Sequence, residues 1–299
     1  MSDARRILVI IDPTADEQPA LARAARLAKA FGASLELFVC DYDQSLASLP
    51  HFEPKTVERA RRSVLDRHLA MLEELRAPLV KEGLSVDIDA RWGQPIHRGI
   101  VEKAVETKPM LLVKDTHEHP VLRRTLFSNT DWNLIRSCPV PLLLVKPREI
   151  GAAPKVLAAV DPLHERDKPA DLDREILAFA GELARTTGSR LHVLHAFDST
   201  LTPPELVPEL ETRHRDALDK LLADSGVGQD VDVHFEQRPA HAAIAKVAED
   251  AGVDFVVMGA VSRSGLERIF LGSTAERVLD RLPCDLVVVK RSGFAPPKE

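Results

Sequence analysis

The sequence predicts an α/β protein built from two similar halves, each a five-stranded, doubly wound parallel sheet with helices on both faces. An internal repeat is the first observation behind this prediction, because residues 111–146 align with residues 255–290 without a gap. The halves also open alike, each with an apolar strand that ends in Asp-Pro, at Asp12 and at Asp161. Continuous apolar runs such as ILVII and LVVV indicate strands covered on both faces. Because these runs alternate with helical patterns, the strands belong to parallel βαβ units.

The elements can be placed in order along each half. In the first half, strands are predicted at 7–11, 34–40, 85–91, 110–114 and 141–146. In the second half, they are predicted at 156–160, 190–196, 232–237, 255–258 and 285–290. Residues 56–80 carry apolar side chains at helical spacing, with Glu and Arg on the other face, which predicts a surface helix. The segment 147–154 is rich in Pro, Gly and Ala and separates two predicted domains, 1–149 and 153–299.

Composition argues against several classes of protein. Of the 299 residues, 44% are hydrophobic and 29% are charged, as in ordinary soluble proteins. The first apolar run, 7–11, is too short for a membrane span or a secretory signal, so a cytoplasmic protein is expected. Cys40, Cys138 and Cys284 form no paired motif and border strands, so they are expected as small buried side chains. A net charge of −6 without a basic block argues against specific nucleic-acid binding.

Residues that suit a phosphate ligand gather at one edge of the second half. In doubly wound sheets, ligands bind outside the carboxyl ends of the strands, where the strand order reverses. An aspartate follows the first strand there, and a glycine loop follows the fourth. Glycine lets a backbone approach a phosphate closely, and the N-terminus of the next helix attracts anions. The candidate nucleotide-binding residues are Asp161, Gly259, Ser262, Gly265, Gly272, Ser273 and Thr274.

A purely structural interpretation of the same residues stays open. Gly259 and Gly265 would then only allow the chain to turn tightly, and Ser273 would only cap a helix. Asp161, followed by proline, would only start a turn that leads into the next helix.

The corresponding loop of the first half has a different chemistry. At the positions that match the second-half loop it carries Asp115, Glu118, Val121, Ser128 and Asn129. Two carboxylates where phosphate oxygens would lie repel an anion. No nucleotide is therefore expected in the first half.

His192, His195, the acidic loop 115–119 and Trp132 are interpreted as structural residues. His192 and His195 are an odd number of residues apart on a predicted strand, so they point to opposite faces and are expected at the edge of the core. The loop 115–119 has the donor types of a zinc site, but a solvated polar loop is the expected interpretation. Trp132 is expected to pack between layers. No catalytic or metal-binding constellation is identified.

The stretch GAVSRSGLERIFLGS, from Gly259 to Ser273, resembles the nucleotide loop of the universal stress protein family. The family pattern is glycine, two residues, glycine, nine residues, glycine and then serine or threonine, and Ser262 stands in place of the second glycine. Asp161 after VLAAV and the closing CDLVVVK fit the same family, and the repeat resembles its tandem members. The resemblance implies two flavodoxin-like domains of the HUP superfamily, each with strand order 3-2-1-4-5.

In that strand order, PLLLVK and DLVVVK would lie at sheet edges. Exposed apolar edges aggregate unless they are paired or covered. The two halves are therefore expected to pack on each other as an intramolecular pseudo-dimer. Whether whole chains also pair as a homodimer is left open.

Three functions are compatible with these residues. The favoured one is a non-catalytic stress-response module that needs no cofactor and acts through a ligand or partner. The alternative is an ATP-binding switch with one nucleotide in the second domain and slow hydrolysis. A small-ligand carrier is the third, and it rests on the fold alone.

Overall fold

The computed structural model describes residues 5–42, 54–119, 124–126, 128–163, 171–228, 230–260 and 282–296, with the backbone alone at 117–119 and 124–126. Strands and helices alternate through the first half. They are β1 (Arg6–Ile10), α1 (Pro19–Phe31), β2 (Ser34–Asp41), α2 (Pro54–Lys81), β3 (Val86–Trp92), α3 (Ile96–Thr107), β4 (Leu111–Asp115), β5 (His117–His119), β6 (Arg124–Leu126), α4 (Asn129–Ser137) and β7 (Leu142–Val145).

The second half repeats this alternation. Its described elements are β8 (Lys155–Val160), α5 (Leu172–Thr187), β9 (Arg190–Phe197), a 3₁₀ turn (Pro204–Leu206), α6 (Val207–Ser225), β10 (Asp232–Gln237), α7 (Ala240–Asp250), β11 (Phe255–Gly259) and β12 (Asp285–Val289). All ten predicted strands are confirmed, and their ends differ from the prediction by one residue at most. The predicted surface helix is confirmed as α2. The β5–β6 hairpin was not predicted, because its two strands are only three residues long.

Glycine ends the first helix of each half and turns the chain into the next strand. Gly32 follows α1 with φ of 62°, and Gly188 follows α5 with φ of 64°. This left-handed conformation is costly for residues with a Cβ, so glycine is favoured after a helix. The two turns place β2 and β9 in parallel beside β1 and β8.

The predicted strand order is confirmed in both halves, but the two sheets are one. A single ten-stranded sheet runs β10-β9-β8-β11-β12-β7-β4-β1-β2-β3, so each half has the order 3-2-1-4-5. Within each half the pairs are parallel, whereas β7 and β12 pair antiparallel at the junction. Apolar side chains on the two faces of the sheet form two buried clusters under the helices.

The junction between the halves is a buried strand pair. Leu144 faces Leu286 and Leu142 faces Val288, and all four side chains are at most 3% exposed. This pairing covers the two strands that the sequence analysis placed at sheet edges. The predicted mutual burial of the halves is confirmed, and the continuous sheet is consistent with an intramolecular pseudo-dimer.

Two buried lysines extend the junction with approximate twofold symmetry. Lys290 donates from Nζ to the carbonyl oxygen of Ile135, 2.5 Å away in the other half. Lys146, the matching lysine of the first half, donates from Nζ to the carbonyl oxygen of Leu282. Burial lowers the pKa of Lys290 to about 8.

Charged residues at the junction break this symmetry. Arg23 on α1 pairs with Asp285 on β12, with Nη1 and Oδ2 3.2 Å apart, and the two side chains are 5% and 0% exposed. The second carboxylate oxygen of Asp285 accepts the backbone N–H of Lys146 at 2.9 Å. Arg148, beside the linker, pairs with Asp254 of the second half. The first helix and the linker are thus tied to the second half by buried or half-buried charge pairs.

Candidate ligand site

The two described members of the candidate site lie at the same edge of the sheet. Asp161 directly follows β8, and Gly259 is the last residue of β11. The two strands are parallel neighbours, with Val257 facing Ala158, so their carboxyl ends meet. The other candidates, Ser262, Gly265, Gly272, Ser273 and Thr274, lie outside the described residues.

A polar side chain from the following helix anchors the backbone at each Asp-Pro. In the second half, the N–H of Asp161 donates to Oδ1 of Asp173 at 3.0 Å, and Asp173 is fully buried in the first turn of α5. In the first half, Gln18 before α1 takes this role: its Nε2 donates to the carbonyl oxygen of Asp12 at 2.7 Å. Each strand end is therefore held against the start of its helix.

The carboxylates of the two matching aspartates are used differently. Oδ1 of Asp12 accepts the backbone N–H of Thr14 at 2.8 Å and its hydroxyl at 2.6 Å, which is a side-chain turn. Leu163, two residues after Asp161, has no hydroxyl to repeat this contact. Within the described residues, the carboxylate of Asp161 accepts no hydrogen bond. The side-chain turn that the sequence left open for Asp161 is present at Asp12, and for Asp161 it stays a hypothesis.

Gly259 has a packing reason that the sequence analysis missed. It is absent from the glycines with positive φ, so its backbone is available to other residues. A Cβ at this position would lie 2.6 Å from Cδ2 of Leu172 and 3.2 Å from Cδ1 of Ile176. Glycine therefore lets α5 approach the end of β11, whether or not a ligand binds. The tight-turn interpretation of Gly259 is therefore wrong. Glycine is required here because α5 packs closely against it, and not because its φ is positive.

In the first half, the position that matches Gly259 holds a carboxylate that caps a helix. Oδ1 of Asp115 accepts the backbone N–H of Ala20 at 2.6 Å, and Asp115 is 8% exposed. Ala20 lies in the first turn of α1, where backbone N–H groups have no helical acceptor and the dipole favours a negative charge. The protein thus supplies its own anion to this helix terminus.

A second capping interaction lies at the end of the first-half loop, where α4 begins. Ser128 precedes α4 and forms a capping box with Asp131, which is fully buried. Lys114 pairs with Asp131, with Nζ and Oδ1 2.8 Å apart. The side chains of Glu118 and Val121 lie outside the described residues, so the predicted repulsion of a phosphate by Glu118 stays a prediction.

The structure also shows the surroundings of the histidines on β9 and of Trp132. His192 and His195 pair with different histidines, His234 and His214, and their neighbours Val193 and Leu194 belong to the clusters on opposite faces of the sheet. Trp132 packs against the cluster beneath α3 and α4, as predicted.

The three cysteines are confirmed as buried thiols. Burial raises the pKa of Cys40 and Cys138 to about 11 and that of Cys284 to about 12. In the part of the chain that the structure describes, no group of three or more His, Cys, Asp or Glu side chains is placed to hold a metal ion. None of the helices described is long and apolar enough to cross a membrane.

The two doubly wound halves are joined through their fifth strands, and an aspartate follows the first strand of each half. In doubly wound sheets this end of the strands is where ligands bind. The arrangement defines a tandem α/β protein. The model of the universal stress protein family matches residues 4–146 and 154–290, and the chain belongs to that family.

Relatives in the family have the same tandem length. The chain is 29% identical to universal stress protein E of Escherichia coli (strain K12) over 310 residues, covering 100% of this chain and 98% of the relative. It is 30% identical to universal stress protein E of Salmonella typhi over 312 residues, with the same coverage. The chain is thus a full-length homologue of universal stress protein E.

Solved structures share the architecture. A functionally unknown protein from Pseudomonas aeruginosa PAO1 superposes with a TM-score of 0.76 at 29% identity, over 96% of this chain and 93% of that one. A universal stress protein from Archaeoglobus fulgidus DSM 4304 superposes with a TM-score of 0.70 at 16% identity, over 96% and 98% of the chains. At 16% identity, the similarity to the Archaeoglobus fulgidus protein shows only that the two proteins share a fold.

Proposed function

We propose that the chain is a non-catalytic stress-response module whose two halves have diverged into a closed scaffold and a ligand-receiving half. The contact between Asp115 and Ala20 carries this proposal. It places a buried carboxylate of the protein itself at a helix N-terminus of the first half, 2.6 Å from the N–H group. The matching position of the second half, Gly259, has no side chain.

The same contact argues against an anionic ligand at that point of the first half. An incoming phosphate would meet the Asp115 carboxylate at short range, where water is scarce and like charges repel strongly. Displacing the carboxylate would also remove a charge-assisted hydrogen bond, which contributes about 1.5–3 kcal/mol. The first half then serves to hold and orient the second through the shared sheet.

A second candidate function is an ATP-binding switch in the second half. Asp161 supports it, because its backbone is fixed by Asp173 while its carboxylate accepts no hydrogen bond within the described residues. A carboxylate at this edge can accept ribose hydroxyls, and the loop that begins at Gly259 would take the phosphates. Hydrolysis, if coupled to this switch, would be slow, since no general base is identified among the residues that the structure describes near Asp161.

Native mass spectrometry of the protein as purified from cells separates the two functions. A mass increment equal to one adenine nucleotide per chain supports the switch. If the purified protein carries no nucleotide and also binds none in millimolar ATP, the switch is contradicted. The protein would then be a stress-response module that works without a nucleotide.

If ATP binds, calorimetry is expected to give one nucleotide per chain, in the second half. Saturation at about 100 times Kd would stabilise that half by about 2.7 kcal/mol. Gly265→Asp puts a carboxylate into the loop and should abolish binding, and Ser262→Gly should tighten it. Asp115→Asn in the first half is the matched control and should leave nucleotide binding unchanged. Two nucleotides per chain, or binding that survives Gly265→Asp, would place the site elsewhere.

The scaffold role of Asp115 has its own test in the stability of the first half. Asp115→Ala leaves the N–H of Ala20 without its carboxylate acceptor and should destabilise this half by about 1–3 kcal/mol. Both tryptophans, Trp92 and Trp132, belong to the first half, so fluorescence during urea unfolding reports on it alone. Glu17→Ala removes an exposed acid near the same helix end and is the matched control. Equal effects of the two substitutions would show that the cap contributes nothing specific.

A further inference from the structure

A short turn at the carboxyl edge of the second half exposes apolar side chains to solvent. Residues 201–206 lie between β9 and α6, and four of these six residues are apolar and exposed: Leu201, Pro203, Pro204 and Leu206. Leu201 is 98% exposed and Leu206 is 51% exposed. Single exposed apolar residues are common on protein surfaces, but a contiguous group marks a contact site.

Hydrogen bonds and proline rings hold this 201–206 turn in one conformation. Oδ1 of Asp198 accepts the backbone N–H of Thr200 at 3.0 Å and also the hydroxyl of Thr200. Nε2 of Gln237, the last residue of β10, donates to Oγ of Ser199 at 2.7 Å. The two prolines of the turn each have a fixed φ. Because the turn is already ordered, docking it on a partner costs little conformational entropy.

The 201–206 turn combines this apolar surface with negative charge. Residues 198–211 carry four acids and no Lys, Arg or His: Asp198, Glu205, Glu209 and Glu211. Pro203 has φ of −53° and ψ of 138°, close to the polyproline II conformation. Proteins receive proline segments of this conformation on aromatic surfaces. A partner for the turn therefore needs exposed aromatic rings together with positive charge.

The carboxyl edge of the first half offers this combination. Trp92 ends β3 and Tyr42 follows β2, and the centroids of their rings lie 5.9 Å apart. The guanidinium of Arg61, on α2, lies 5.5 Å from the centroid of the Trp92 ring. All three side chains are partly exposed. We call these three residues the Trp92 surface.

Positive charge surrounds the Trp92 surface. No residue of α2 before Leu72 is buried, so the charged side chains of this part of the helix reach solvent. An acid close to the surface, Asp41, is paired with His68, with Oδ2 and Nε2 2.7 Å apart. Residues 55–67 of α2 contain five bases and two acids: Lys55, Arg59, Arg61, Arg62 and Arg67, with Glu58 and Asp66.

The 201–206 turn and the Trp92 surface cannot meet within one chain. β9 is the second strand and β3 the tenth in the sheet order, eight spacings of about 4.8 Å or roughly 38 Å apart. Because β7 and β12 pair antiparallel, the strands of the two halves run in opposite directions. The carboxyl ends of the two halves therefore lie at opposite edges of the sheet. A contact between the two surfaces needs two copies of the chain.

We propose that the protein associates head to tail, with the 201–206 turn of one copy docked on the Trp92 surface of the next. The proline and leucine side chains contact the aromatic rings, and the acids of 198–211 face the bases of α2. Two different surfaces make a heterologous contact, which continues from copy to copy unless it closes into a ring. A contact of this small size is weak and depends on protein concentration. It does not use the candidate ligand site.

Sedimentation velocity of the full chain tests the proposal. At up to about 1 mM protein and about 0.05 M salt, the chain should form oligomers that return to monomers on dilution. Raising the salt to about 0.5 M should weaken the association, because salt screens exposed charges. Leu201→Asp should raise the dissociation constant about tenfold or more, since it removes the most exposed apolar side chain. Val80→Asp, at a residue 44% exposed near the other end of α2, is the matched control and should not.

A mixing experiment tests whether the contact joins two different surfaces. Arg62→Glu reverses an exposed charge beside Arg61 and should weaken association, whereas Arg185→Glu, at an exposed arginine on α5, should not. At a concentration where Leu201→Asp and Arg62→Glu are each monomeric, their mixture should form one-to-one dimers and nothing larger. One variant keeps the Trp92 surface and the other keeps the turn, so only one contact can form.

Three results would overturn the proposal. The first is a wild-type chain that stays monomeric over the whole concentration range. The second is a mixture of the two variants that stays monomeric, which would mean that the turn and the Trp92 surface are not partners. The third is association that Leu201→Asp weakens no more than Val80→Asp.

Discussion

Replacing Arg23 with alanine is expected to destabilise the whole chain by about 3–5 kcal/mol, because it leaves the carboxylate of Asp285 buried without its cation. The two groups belong to different halves, and their charged atoms lie 3.2 Å apart. Asp285 is fully buried, so water cannot replace the lost guanidinium. Urea unfolding followed by circular dichroism measures the loss.

The destabilisation caused by Arg23→Ala should depend on pH in a defined direction. Burial raises the pKa of Asp285 to about 6, and Arg23 opposes this rise. A carboxyl group with a raised folded-state pKa stabilises the fold when protonated, and this stability is lost as the pH rises through that pKa. Without Arg23 the pKa rises further. The penalty of Arg23→Ala should therefore be largest above neutral pH and should shrink toward about pH 5.

Two further variants test whether the destabilisation comes from the buried Arg23–Asp285 pair or would follow from the loss of any ion pair between the halves. Arg5→Ala removes an exposed bridge between the halves, from Arg5 to Glu182 at 2.8 Å, and should cost about 1 kcal/mol or less. The double variant Arg23→Met with Asp285→Asn should recover most of the loss, because the amide still accepts the N–H of Lys146 and neither residue of the pair is charged any longer. An Arg23→Ala variant no less stable than Arg5→Ala would contradict this account of the junction.

Cutting the protein into separate halves should have an even larger effect. When residues 1–150 and 153–299 are expressed apart, each should aggregate or pair with itself, because β7 or β12 becomes an exposed apolar edge. Four of the strand residues that face each other across the junction are at most 3% exposed in the intact chain. Light scattering after size exclusion gives the mass of each fragment, and co-expression should restore a one-to-one complex.

A nicked chain is the matched control for the split halves. Gly151 and Ala152 in the linker are exposed, so a protease site there cuts the backbone without touching the strands. The nicked protein should still elute as one particle of the original mass. Two fragments that are soluble monomers, each as stable as in the whole chain, would mean that the continuous sheet does not hold the halves together.

The candidate site shows where inference from the sequence ends. Asp161 and Gly259 were expected at one edge because carboxyl ends of parallel strands meet, and the structure places them there. The reason for Gly259 was not visible, since Leu172 and Ile176 come from a helix more than eighty residues earlier in the chain. Likewise, Asp115 was recognised as an unfavourable charge for a phosphate, but its hydrogen bond to Ala20 joins residues far apart in sequence.

Local patterns in the sequence by themselves determined the duplicated α/β architecture and the ten strands, and the family resemblance implied the strand order. The architecture and the strands follow from the spacing of apolar residues and from the glycines after the first helices, which act over a few positions. Only the tertiary structure decided that the strands of both halves form one sheet, that Arg23 pairs with Asp285, and that four histidines form two separate pairs. Each of these depends on distances between side chains from different elements, and no periodicity along the chain records such distances.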